Sequence, residues 1–347
     1  MLPNLLSRRE FLSLAGLGLT GLAMRPVANI WQDLNGAEVA RIATTSVSVY
    51  NKPDDESTIL YQRTRDELVN VYYELTSEFG PGYNPIWYRV WRGYIHSAHL
   101  QKVKVCLNPV AEEFPETGQL AEVTVPFTPT MRYNPWLKTW EPLYRLYYQS
   151  HHWVRGVDVG PDGEPWYRLH DELLEINYHA RAEHFRLVQP EEFDPISPDV
   201  PSHHKRIEVS IRRQEMKAYE GDKVVLECRV STGIPGMNSP GQTKTETPIG
   251  DFYVYSKMPS KHMGNGALTS DIEAYELPGV PWTTFFQNDG VAIHGTYWHR
   301  NYGIQMSRGC VNVPVDIAKW VYRWTYPLAA PETWEQRGHG TLITVEP

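Results

Sequence analysis

Cysteine is scarce. The 347 residues hold three, Cys106, Cys228 and Cys310, at long and irregular spacings and with no C-x-x-C pair. That arrangement excludes a structural zinc finger, which needs clustered ligands. An odd count also leaves at least one thiol free in an exported chain. Lysine and arginine form no block, and the formal net charge is −8. A nucleic-acid partner is therefore not expected. The apolar run at the N-terminus, Phe11 to Met24, is shorter than the ~20 residues that cross a bilayer comfortably.

What that run does carry is an address. Ser7-Arg8-Arg9-Glu10-Phe11-Leu12 precedes it and Arg25 ends it. A charged segment followed by a short apolar stretch fits a secretory signal, and the paired arginines resemble a twin-arginine export signal. Residues 1–28 are read as signal or anchor. Gly21-Leu22-Ala23 and Pro26-Val27-Ala28 are the small-residue cleavage candidates. Localisation outside the cytoplasm, at the cell wall or in a periplasm-like space, follows. Contact with a membrane is expected only if this segment stays uncleaved.

The middle of the chain repeats itself. Trp87-Tyr88-Arg89 and Trp166-Tyr167-Arg168 stand 79 residues apart, each after a Gly-Pro turn, Gly80-Pro81-Gly82 and Gly160-Pro161-Asp162-Gly163. Two diverged copies of a small β-barrel module are expected at 36–105 and 120–190. The run Trp87-Tyr88-Arg89-Val90 through Gly93-Tyr94-Ile95-His96-Ser97-Ala98-His99-Leu100 resembles bacterial SH3-like domains. That resemblance implies wall binding or positioning of a catalytic domain, with a plain spacer as the alternative. The second copy matches poorly at its start, where Pro126, Pro129 and Pro135 are expected to break any strand. The 12 Trp and 21 Tyr suit either sheet cores or sugar-stacking surfaces. Glu191–His204, rich in Pro, Asp and Ser, reads as a linker.

From Arg206 the pattern becomes clean alternation. Ile207, Val209 and Ile211 face one way, as do Val224, Leu226, Cys228 and Val230 after the turn at Gly221-Asp222. Period two means half-buried strands, and Cys228 on the apolar face reads as an inert core thiol. Further strands are expected at Phe252–Tyr255 and Val291–His294. A helix is expected near Pro314, with Ile317, Trp320 or Val321, and Trp324 inward.

The chemistry sits between those last two elements. His294-Gly295-Thr296 ends a strand, and sixteen residues after His294 comes Ser307-Arg308-Gly309-Cys310-Val311-Asn312. A thiol becomes a strong nucleophile when an imidazole removes its proton. A following helix N-terminus would stabilise the thiolate. N–H groups around Gly309 and Cys310 suit an oxyanion hole.

This combination resembles the signature of the L,D-transpeptidase catalytic domain, the YkuD family. Ser231-Thr232-Gly233, Thr247-Pro248-Ile249-Gly250-Asp251-Phe252 and the closing Gly340-Thr341-Leu342-Ile343-Thr344-Val345 are similar to other parts of that family. The resemblance covers about 204–346 and implies a mainly β fold. In it, a catalytic β-sandwich at 205–347, with a short helix after the cysteine, follows the SH3-like modules. It implies Cys310 as acylated nucleophile and His294 as proton acceptor and donor, with a backbone carbonyl near Gly295 orienting the imidazole. Ser307, Arg308, Gly309 and Gly295 are expected to position the cysteine and an oxyanion. Asn312, Tyr297 and His299 are expected to contact substrate.

Lys257–Phe286 exceeds a minimal domain and is expected to be a lid over the cleft. His262 and His299 lack spacing with any third ligand, so no metal is expected, nor a nucleotide or other cofactor. The implied activity is cross-linking of peptidoglycan stem peptides, donor and acceptor, through a Cys310 thioester, with carbapenem-type compounds as inhibitors. The rival readings are a hydrolase with the same dyad and a non-catalytic wall-binding protein.

Overall fold

The computed structural model describes residues 31–236, 245–272 and 274–347; the signal or anchor expected at 1–28 lies outside the described residues. The fold is mainly β, with one α-helix among the described residues. The chain divides into two compact units. Among the described residues, the first comprises those from 31 to 188 together with 262–279 and 297–300. The second comprises 189–261, 280–296 and 301–347.

Within the first unit, the strands between 38 and 104 form a three-stranded and a five-stranded sheet around Ala40, Ile42, Val49, Tyr88, Ile95 and Leu100. Those between 119 and 187 form one seven-stranded sheet. Both Trp-Tyr-Arg triplets lie on strands, Ile86–Val90 and Pro165–Asp171. Tyr88 and Tyr167 point into their cores. Each triplet's tryptophan is covered by the glycine that opens the preceding turn. A Cβ on Gly80 would stand 2.4 Å from Trp87 Nε1, and one on Gly160 2.1 Å from Trp166 Cδ1. Only glycine permits that approach.

Of the three prolines expected to break strands here, Pro126 and Pro135 lie outside strand Phe127–Asn134, but Pro129 lies within it. Strand Phe127–Asn134 runs through Pro129 and pairs with Thr139–Tyr147, its register shifting between Pro129 and Met131. The missing N–H is thus absorbed at a bulge, one of the few places a sheet tolerates proline.

The second unit carries two five-stranded sheets. One has the order Lys223–Arg229, Glu215–Glu220, Lys205–Ser210, Leu342–Glu346, Gly250–Tyr253. Ile207, Val209, Met216, Ala218, Ile343 and Val345 are buried. On Lys223–Arg229, Leu226 and Cys228 are half-buried and Val224 is exposed. The other sheet has the order Val311–Val313, Val291–Gly295, Glu276–Gln287, Ser256–Gly264, Gln336–Arg337. Phe252 of the first sheet meets Phe286 of the second at 5.7 Å between ring centres.

The segment expected as a lid is therefore strand at both ends, and its stretch 262–279 groups with the first unit. There His262 is held between two buried carboxylates, Nδ1 at 2.7 Å from Asp171 and Nε2 at 2.8 Å from Glu276. Its two ring nitrogens point at separate partners.

The α-helix Val315–Trp324 buries Val315, Ala318, Val321, Tyr322 and Trp324, while Ile317 and Trp320 are half-buried. Two buried lysines close its C-terminal end, where carbonyls lack intrahelical partners. Lys257 Nζ donates to the carbonyls of Tyr322 and Thr325 at 2.6 and 2.9 Å. Lys205 Nζ donates to those of Ile196 and Trp324 at 2.9 and 3.0 Å. The Pro/Asp/Ser-rich segment after 190 is no free linker. Phe193 is buried with its ring 5.3 Å from that of Trp282, and Arg323 Nε donates to the Asp194 carbonyl at 2.7 Å.

Candidate active site

Strand Val291–Gly295 is buried at every position, and it carries His294 near its end. It pairs in parallel with Val311–Val313, Ile293 opposite Val311, His294 opposite Asn312 and Gly295 opposite Val313. Cys310 therefore stands two residues before the position paired with His294. This strand separates the cysteine from the helix, which begins at Val315. Helix-dipole stabilisation of the thiolate, expected from sequence, is not available, because that effect fades within the first turn.

Electrostatics follow that geometry. His294 is buried, and its Nδ1 donates to the carbonyl of its neighbour Gly295 at 3.0 Å. Burial lowers the His294 pKa to about 4, against that bond. Burial likewise pushes the Cys310 thiol up to about 11, partly offset by a backbone hydrogen bond from Ala292. The thiol donates to the Gly290 carbonyl at 3.8 Å. The resting pair at neutral pH is consequently thiol and neutral imidazole.

Two hydroxyls hold the backbone on either side of Cys310. Ser307 Oγ accepts the Gly309 N–H at 3.2 Å and donates to the Cys310 carbonyl. Thr247 Oγ1 accepts the Gly233 N–H at 2.8 Å and donates to the Gly309 carbonyl at 2.9 Å. Behind them, Ser231 exchanges both backbone hydrogen bonds with Asn312, at 3.0 and 2.8 Å. Thr232 is held by Gln214, whose Oε1 accepts its N–H at 2.9 Å and whose Nε2 donates to its hydroxyl at 2.6 Å.

Of the residues expected here, Cys310, His294, Gly295, Ser307, Gly309 and Asn312 are brought together. Gly295 serves through its carbonyl and through its lack of a side chain: a Cβ there would lie 3.0 Å from both Pro281 Cγ and Val315 Cα. Asn312 is buried and Arg308 exposed. The Gly309 N–H is already taken by Ser307, which narrows the expected oxyanion donors to the Cys310 N–H. Tyr297 and His299 group with the first unit, 3% and 4% exposed. The Tyr297 hydroxyl donates to the Pro278 carbonyl at 3.1 Å, and its ring stacks on Tyr147 at 6.0 Å. Thr247 and Gln214 carried no assignment from sequence. The Thr-Pro-Ile-Gly match at 247–250 was the available signal for the threonine.

Residues 204–345 match the family model described as the L,D-transpeptidase catalytic domain, YkuD. The putative L,D-transpeptidase YciB of Bacillus subtilis (strain 168) is 24% identical over 136 residues, 36% of this chain and 63% of that protein. Among solved structures, the Ldtfm–avibactam carbamoyl enzyme is 26% identical, with 42% of this chain and 49% of that one covered and a TM-score of 0.30. The catalytic domain of E. faecium L,D-transpeptidase is 28% identical, with 41% and 95% covered and a TM-score of 0.29. The likeness thus spans under two thirds of the curated relative and about half of the Ldtfm chain.

Proposed function

Taking residues 204–345 as an L,D-transpeptidase catalytic domain, we propose that the protein is an exported cysteine acyltransferase that cross-links peptidoglycan stem peptides. The observation that carries this reading is the His294 Nδ1–Gly295 carbonyl bond. It commits the Nδ1 proton and leaves Nε2 as the basic nitrogen, on a strand in register with the residues after Cys310.

In the proposed cycle, the Cys310 proton passes to His294 Nε2 as the sulfur attacks the carbonyl of the third residue of a tetrapeptide stem. The Cys310 N–H stabilises the resulting oxyanion. The C–N bond breaks, and the departing terminal D-alanine takes the proton from His294. An acceptor amine then attacks the thioester and gives its proton to His294. The C–S bond breaks and the sulfur regains that proton. The new amide is the cross-link.

The test is mass spectrometry of muropeptides after incubating the full chain with wall fragments. Dimers linked through third residues, absent with Cys310→Ala, are the expected result. Tripeptide monomer alone, with an acceptor stem present, would replace the transferase by a hydrolase. No product at all would return the chain to a wall-binding role.

A further inference from the structure

We propose that Thr247 is a positioning residue that aims the oxyanion donor, the Cys310 N–H, through the carbonyl of Gly309. The proposal rests on Cys310 being the acylated nucleophile. Its premise is the geometry of one peptide unit. The Gly309 carbonyl and the Cys310 N–H belong to the same planar trans peptide, so they point in opposite directions. Whatever fixes the carbonyl fixes the N–H. Thr247 Oγ1 donates to that carbonyl at 2.9 Å in a buried setting.

The peptide has reason to need fixing. Gly309 has φ +109°, a conformation that side-chain-bearing residues rarely adopt and from which glycine rotates at little cost. A glycine there gives the loop its path and also leaves the next N–H free to swing. Ser307 restrains the other side of Cys310 by donating to the Cys310 carbonyl, and it does not touch the Gly309 carbonyl. Thr247 supplies the missing restraint.

Thr247 is itself held. Its hydroxyl accepts the Gly233 N–H at 2.8 Å, which commits a lone pair and directs its single proton at Gly309. Gly233 can come that close only because it has no side chain. A Cβ there would stand 2.7 Å from Thr247 N and 2.9 Å from Gly309 N. Three loops, around 233, 247 and 309, thus converge on one hydroxyl. Preorganised donors matter because they need no reorganisation when the oxyanion forms.

A general loosening of the loop and a mis-aimed oxyanion donor predict different chemistry. Acylation by a carbapenem passes through a tetrahedral oxyanion. Alkylation of the same thiol by iodoacetamide is a direct displacement at carbon and has no oxyanion. Both rates are read by intact mass on the full chain in a Cys106→Ser background, since Cys106 is exposed.

Thr247→Val keeps the shape and removes the hydroxyl. It should slow acylation on the order of 10²-fold, the lower end of the loss expected for an oxyanion-hole donor, while alkylation stays within about threefold. Thr247→Ser keeps the hydroxyl and should restore acylation. If the valine variant does not fold, Thr247→Ala is assayed below its melting temperature and should show the same split between the two rates. Unchanged acylation in Thr247→Val or Thr247→Ala overturns the proposal, and so does a parallel fall in both rates. Failure of wild-type protein to acylate at all would instead overturn the assignment of Cys310.

Discussion

His294 donates its Nδ1 proton to the carbonyl of Gly295, the residue next to it in the same strand, at 3.0 Å. The orienting group is backbone, so it carries no negative charge to stabilise an imidazolium. Burial then dominates, and the imidazole's pKa falls to about 4 while the thiol's rises to about 11. Carbapenem acylation should therefore hold a plateau from about pH 5 upward and fall as pH drops through about 4, where the base becomes protonated. An inflection near 6.5 would mean that His294 titrates as it does in water. His294→Ala should remain folded and acylate ~10²–10⁴-fold more slowly.

The three thiols should sort by environment. Cys106 is exposed, and burial pushes the half-buried Cys228 up to about 12. Iodoacetamide should label Cys106 and leave Cys228 unmodified in the folded state. A carbapenem should add once, at Cys310, because acylation needs the base as well as the sulfur. An adduct that survives Cys310→Ala in intact-mass spectra would contradict this.

Gly233→Ala should be far more damaging than its exposed counterparts. The new methyl would meet the Thr245 carbonyl oxygen at 2.1 Å as well as the backbone nitrogens of Thr247 and Gly309. These are backbone atoms, so the loops must part. A loss of about 1–3 kcal/mol is expected from such overpacking, together with slower acylation. Gly82→Ala, with nothing within 4 Å, is the control. Equal urea midpoints for the two variants would show that the loops around 233 yield freely.

The cluster of His294, Ser307, Gly309 and Cys310 was legible because their residue types and order are chemically constrained. The sequence concealed what depends on close approach. Val311–Val313 is a strand of three residues, too short for any period to show, and its presence displaces the helix from the cysteine. Tyr297 and His299 sit in a polar-aromatic stretch that resembles a surface. Both are buried, and Tyr297 is held by Arg41 Nη2, which reaches its carbonyl at 3.2 Å, and by Tyr147, which stacks on its ring. Glu215–Glu220 alternates buried Met216 and Ala218 with charged residues, a pattern weakened by the small alanine.

Lys257 gives a pH signature to the helix's C-terminal end. Burial brings its pKa down from 10.5 to about 7, with neighbouring Lys205 acting in the same direction. The unfolded chain thus binds more protons than the folded one between about 7 and 10.5, and stability should rise with pH across that window. The slope attributable to this lysine approaches ~1.4 kcal/mol per pH unit. Lys257→Met should abolish it. Urea midpoints of the two proteins between pH 7 and 9.5 measure the difference, and parallel curves would show that Lys257 keeps an ordinary pKa.

Deleting residues 36–190 should do more than remove a separate N-terminal module. Two stretches from later in the chain, 262–279 and 297–300, belong to the first unit. The deletion would remove Asp171 from the buried His262–Glu276 pair, leaving two ionisable groups in an unbalanced setting. It would also strip Arg41 and Tyr147 from Tyr297. Loss of one member of a buried charged cluster typically costs 3–5 kcal/mol, a large share of a domain's ~5–15 kcal/mol. Tyr297 lies only three residues beyond His294 in the chain. The truncated chain should therefore melt well below the full protein and acylate poorly. Arg41→Ala and Asp171→Asn should each reproduce part of the loss, in thermal melts and in acylation rate respectively measured side by side. A truncated chain that melts and acylates like the full protein would mean that 262–279 and 297–300 find adequate packing without the first unit.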